Sequence, residues 1–174
     1  MMKKNHKFKR SIWMLFSTIP VFVVAWLATA YPTKIILYND SPSVPEGFWL
    51  KTDQPEQKIG DVVAFHAPLA AMSFITAHLP QYLTIPLIKP VAGVYGDKVC
   101  GSKDGFYVNG KLLGLPLARD SKGDPVSPWR GCLTLNHGQI VVFSNRIKNS
   151  YDSRYYGPIP VKNILSAYRP LWTW

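Results

Sequence analysis

Acidic side chains are scarce in this sequence: 10 Asp and Glu stand against 20 Lys and Arg, giving a net charge of +10 over 174 residues. Such a balance invites a nucleic-acid reading, but its distribution argues against one. Lys3, Lys4, Lys7, Lys9 and Arg10 supply five of those charges before residue 11, and no basic helix remains once they are set aside. Cysteine is nearly absent as well. Cys100 and Cys132 lack the paired spacing of a zinc site, neither has a neighbouring His, and no His-Glu-x-x-His occurs, so no metal or other cofactor is expected. Repeats and low-complexity tracts are missing too, which excludes a solenoid. The length suffices for one ordinary core with an appendage and hardly for two.

What is present begins with an uncharged apolar run, Ile12 to Ala30. As a helix at ~1.5 Å per residue it spans ~28 Å, about one hydrocarbon core. With the basic residues held on the cytoplasmic side, the remainder lies across the membrane. Ala28-Thr29-Ala30 has the small-x-small form of a leader cleavage site, yet the run exceeds the usual ~7 to 15 residue leader core, which favours a retained anchor. The organisation expected is a cytoplasmic segment over 1–11, a transmembrane anchor over 12–30 and an exported domain over 31–174. Both cysteines fall in that exported part, where a disulfide is permitted; the alternative is two buried free thiols.

From Tyr31 onward, short β-type runs alternate with Gly and Pro: Lys34 to Tyr38, Gly47 to Lys51, Asp61 to Phe65, Lys98 to Cys100, Phe106 to Val108, Lys111 to Leu113 and Gln139 to Phe143. The fold class is therefore mainly β. Asn109-Gly110 between two of these runs fits a type I′ hairpin turn. Leu69 to His78 is Ala-rich with near-helical spacing and is followed by Pro80, which predicts a short helix that either caps the core or dips into the membrane surface.

Four stretches bear on chemistry. Asn39-Asp40-Ser41-Pro42-Ser43-Val44-Pro45-Glu46-Gly47 places two serines two positions apart in a Pro-stiffened segment, which alone reads as a loop. Ile85 to Val94 embeds Lys89 among apolar residues. Burial disfavours an ammonium, and lowering its pKa from ~10.4 to ~7 to 8 costs ~4 kcal/mol and yields a neutral amine able to accept a proton; the alternative is a strand lysine whose head reaches water. Gly60 to Phe65 reads as a turn entering a strand. In Ser150-Tyr151-Asp152-Ser153-Arg154-Tyr155-Tyr156-Gly157, Asp152 and Arg154 form a local pair that at a surface contributes only ~0 to 1 kcal/mol and so serves geometry.

In this order the set resembles the type I signal peptidases and, within them, the TraF-type peptidases of conjugative transfer. Ser43-Val44-Pro45 is similar to the nucleophile box, Lys89 followed by Gly96-Asp97 to the general-base box, and Ser150-x-Asp152-Ser153-Arg154 to the final box. The TraF-like form is Asn39-x-Ser41-x-Ser43-x-Pro45-x-Gly47, joined by Gly131-Cys132 and Tyr155-Tyr156-Gly157-Pro158. Pro90 and Val94-Tyr95 depart from the general pattern beside the base. The resemblance implies a signal-peptidase-like β domain in which Ser43 is the nucleophile and Lys89 its base. Ser150 orients the amine, with Asp152 as a substitute, and the Ser43 amide and Ser41 hydroxyl bind the oxyanion.

His66, His78 and His137 are the histidines available for a competing Ser-His-Asp triad, and each has an ordinary turn or strand-end explanation. Ser43 follows the anchor by about a dozen residues, which holds the site close to the outer face of the inner membrane, on the periplasmic side. The expected partners are the membrane and an exported protein, a pilin precursor by analogy, which is cleaved or cyclised. A general leader peptidase and an inactive anchored scaffold of the secretion apparatus are the alternatives.

Overall fold

A computed structural model describes residues 35–52 and 57–174. The basic segment and the anchor expected over 12–30 lie outside the described residues. Among the described residues no helix is long and apolar enough to cross a membrane.

The chain builds two antiparallel sheets. The larger runs in the order β1-β2-β11-β3-β4-β9-β10. Its members are β1 (Ile36–Asn39), β2 (Gly47–Thr52), β3 (Val62–Phe65), β4 (Leu87–Gly93), β9 (Gln139–Val142), β10 (Ile159–Pro160) and β11 (Ile164–Thr173). The smaller has the order β7-β6-β5-β8, from β5 (Lys98–Ser102), β6 (Gly105–Val108), β7 (Lys111–Gly114) and β8 (Gly131–Thr134). Asn109 and Gly110 join β6 to β7 with φ of 50° and 78°, the positive pair a type I′ turn requires.

Seven strands fall where alternation and turn residues place them. Four do not announce themselves. β4 contains Lys89 and Pro90, β8 is a four-residue Gly-Cys run, β10 has two residues, and β11 carries Arg169 and Pro170 with a register shift between Pro170 and Trp172. β11 nevertheless lies between β2 and β3 and pairs with both. Its partly polar sequence is tolerated because only its first half is deeply buried, as Ala167 and Tyr168 are, whereas Leu171, Trp172 and Trp174 are exposed.

Strand alternation divides the core. Val63, Phe65, Leu87, Val91, Ile140 and Val142 pack with Ala71, Ile75, Tyr156 and Ile159, whereas Val44, Trp49, Ala64, Ile88 and Tyr168 form a second cluster. The helix expected over 69–78 is a 3-10 turn, Leu69–Ala71, continuing into α1 (Met72–His78), and Pro80 opens another 3-10 turn. Ala71 and Ile75 are its buried residues, which is the core-capping arrangement, while Leu69 is 90% exposed. Cys100 and Cys132 lie opposite each other on β5 and β8 and are joined by a disulfide.

Candidate active site

Ser43 sits in the loop between β1 and β2, and that loop is fixed through its carbonyls. Asn39 ends β1 with its side chain buried, where it replaces the ladder bonds the two prolines deny the loop. Its Nδ2 donates to the carbonyls of Ser41 (2.8 Å), Pro45 (3.1 Å) and Val44 (3.4 Å), and its Oδ1 accepts from the Ser41 amide (3.1 Å). Trp49 Nε1 donates to the Pro45 carbonyl as well (3.0 Å). The two remaining carbonyls are held from across the molecule: Arg146 Nε donates to Pro42 (3.3 Å) and the Ser144 hydroxyl donates to Ser43. Each of the five carbonyls from 41 to 45 therefore has a side-chain donor. Among the described residues the Ser43 amide has no acceptor.

Ser43 is 3% exposed and Lys89 4% exposed. Lys89 stands at the middle of β4 opposite Val63, and by alternation it shares a face with Leu87 and Val91. Burial among these apolar neighbours lowers its amine from 10.5 to about 8; the Asp152 carboxylate acts in the opposite sense and Arg154 adds a further downward push. The Oγ of Ser43 meets the Oγ of Ser150 at 3.3 Å rather than Lys89. Lys89 and Ser41 line one cleft, with Leu37, Tyr38, Tyr82 and Ile85. Among the described residues the Ser41 bonds are made by its backbone, through its carbonyl and its amide to Asn39.

Asp152 and Arg154 are not the exposed loop pair that their spacing suggests. Asp152 is 0% and Arg154 4% exposed. The guanidinium grips the carboxylate at two points, Nε to Oδ1 at 2.8 Å and Nη2 to Oδ2 at 2.9 Å. Arg154 also donates to the carbonyls of Leu115, Lys148 and Ser150, and lies 5.0 Å from the centre of the Phe143 ring. Asp152 caps α2 (Ser153–Tyr156) by accepting from the Arg154 amide, and it accepts from the Ser144 amide. Removing one partner from such a buried pair typically costs ~3 to 5 kcal/mol, far above the surface value. These bonds occupy the carboxylate, and Asp152 acts on Lys89 through its charge. Arg154 grips the Ser150 carbonyl, which sets the loop that presents the Ser150 hydroxyl.

Among the described residues no histidine bonds to Ser43. His78 faces Asp124 (3.1 Å) and Asp120 (3.7 Å), His137 stacks on Tyr95, and His66 is exposed. His78, Asp120 and Asp124 are also the described residues whose ligand atoms lie within 4.8 Å of one another. Ser144 and Arg146 escaped the reading of the sequence. A serine just after a strand and an arginine in a loop carry no local mark of contacts made 101 and 104 positions away.

The family description "Signal peptidase, peptidase S26" matches residues 8–173. A conjugal transfer protein TraF from Agrobacterium tumefaciens (strain 15955) is 32% identical over 171 residues, covering 92% of this chain and 95% of that protein. A plasmid transfer protein TraF from Escherichia coli is 30% identical over 146 residues, 78% of this chain and 82% of that one. Signal peptidase I V of Bacillus subtilis (strain 168) is 36% identical over 92 residues, 47% of this chain and 54% of that enzyme.

Proposed function

The chain belongs to the signal peptidase family, and from that premise we propose that it is a membrane-anchored serine endopeptidase of conjugative transfer, with Ser43 as nucleophile and Lys89 as general base. The observation that carries the reading is the state of Lys89. A lysine that is buried, held at about 8 and lining the cleft of Ser41 is in part a neutral amine near physiological pH.

In this mechanism neutral Lys89 Nζ takes the Ser43 hydroxyl proton as Oγ attacks the scissile carbonyl. The Ser43 amide and Ser41 hydroxyl stabilise the oxyanion. Collapse expels the leaving amine, which receives the proton from Lys89, and leaves an ester on Ser43. Water, or the substrate's own amino end, then resolves that ester into a linear or a cyclic product. Ser150, now on the Ser43 hydroxyl, turns to orient the amine when substrate displaces that bond. The anchor over 12–30 holds the domain on the periplasmic face, and the substrate is an exported protein, a pilin precursor, lying extended along the cleft between β1 and the start of β4.

The test is mass spectrometry of the pilin made with wild-type, Ser43→Ala and Lys89→Ala proteins. Precursor should accumulate with both variants, and a wild-type product one water lighter than the linear chain identifies cyclisation. Normal maturation with both variants folded and membrane-bound would leave a scaffold role. Equal processing of unrelated exported precursors would leave a general leader peptidase.

A further inference from the structure

The bonds around Ser43 leave one charged side chain whose purpose the dyad does not account for. Arg146 is exposed, yet its Nε donates to the Pro42 carbonyl, and its own amide donates to the Ser144 hydroxyl (3.3 Å) that holds the Ser43 carbonyl. Pro42 carbonyl and Ser43 amide belong to one planar trans peptide, in which C=O and N–H point in opposite directions. A donor fixed on that oxygen therefore fixes where the Ser43 N–H points. It also polarises the unit, since withdrawing density at oxygen makes the N–H a stronger donor, by ~10 to 30% per bond in condensed-phase estimates.

The geometry points to Arg146 as a positioning residue that aims and polarises the Ser43 amide for the oxyanion, with Ser144 bracing the next peptide. The inference rests on the proposed serine peptidase mechanism and assigns within it a residue that touches neither the substrate nor the reacting atoms. The arrangement around the loop supports it. The other carbonyls from 41 to 45 are held by Asn39, Trp49 and Ser144, so the Pro42 carbonyl is the one whose donor carries a formal charge. No acceptor within the described residues competes for the Ser43 amide. The charges that act on Lys89 are those of Asp152 and Arg154, so Arg146 has a separable effect.

The experiment compares full-length wild type, Arg146→Met and Arg146→Lys, reading kcat, KM and the pH profile on a peptide spanning the pilin cleavage site, and the affinity of a peptide aldehyde. The aldehyde forms a hemiacetal with Ser43 whose oxygen occupies the oxyanion position. Losing a whole oxyanion donor costs ~10²- to 10³-fold in kcat, so loss of its alignment should cost roughly tenfold in Arg146→Met. KM and the pH midpoint should stay in place, aldehyde affinity should fall in step with kcat, and Arg146→Lys should recover part of both. A rise in KM alone, a shifted pH midpoint, or aldehyde binding equal to wild type would overturn the assignment. Full activity of Arg146→Met in an active enzyme sinks this inference only. A wild type no more active than Ser43→Ala sinks the peptidase reading along with it.

Discussion

The residue proposed as the general base is also one the fold holds at a cost. Lys89 would be charged in the unfolded chain up to 10.5 and is held at about 8 in the folded one, a difference worth about 3 kcal/mol at ~1.4 kcal/mol per pH unit. The sign follows from proton counting. Between those two values the unfolded state binds more protons than the folded state, so stability rises with pH across that window, and below about 8 the full penalty remains. Lys89→Met keeps the length of the side chain and removes the charge. Denaturant unfolding at pH 7 should show it more stable than wild type by about 3 kcal/mol, with the gap closing toward pH 10.5 and activity gone. In the proposed mechanism the same group sets the rate profile. kcat/KM should climb with pH, bend near 8 and then level, because only the neutral amine accepts the Ser43 proton; a profile flat from pH 6 to 9 would remove Lys89 from the role of base.

Among the elements, β11 decides the most with the least sequence warning. The last of the strands, it fills the gap between β2 and β3, and Trp174 directly after it donates its amide to the Glu46 carbonyl in the loop that carries Ser43 (3.0 Å). That closeness explains Gly47. It adopts φ +131°, pairs with both Asn39 and Thr173, and a Cβ there would collide with the backbone of Trp172 and Thr173. Gly47→Ala should therefore cost ~2 to 3 kcal/mol in thermal or urea unfolding, combining backbone strain with displacement of β11. Gly110→Ala provides the contrast: its φ is +78° with nothing near the added carbon, so it should lose only ~1 kcal/mol. Equal losses at the two sites would mean that contact with β11 adds nothing.

Across the whole molecule the two sheets are stabilised by different means. Among the described residues two apolar clusters belong to the larger sheet, whereas Val99, Phe106 and Val108 of the smaller sheet pack with Leu135 and with Val141 of β9, and the Cys100–Cys132 bridge ties β5 to β8. Closing a loop with a sequence separation of 32 stabilises by ~3 to 4 kcal/mol on the chain-entropy model. Replacing both cysteines by serine should lower unfolding stability by about that amount while the proposed peptidase activity continues, since neither cysteine belongs to the loop that carries Ser43. The mainly β class, seven of the strands and the hairpin at Asn109-Gly110 were legible in the sequence, because period-two burial and positive-φ turns are local properties. The family was legible too, through the ordered stretches around Ser43, Lys89 and Ser150. What only the tertiary structure decided is how these residues are held. The Asp152–Arg154 pair is two residues apart in sequence, and nothing local reveals that the fold buries it. Ser144 and Arg146 hold the loop that carries Ser43 from more than a hundred residues away, and hydrogen bonds of that range leave no periodicity in a single chain to be read.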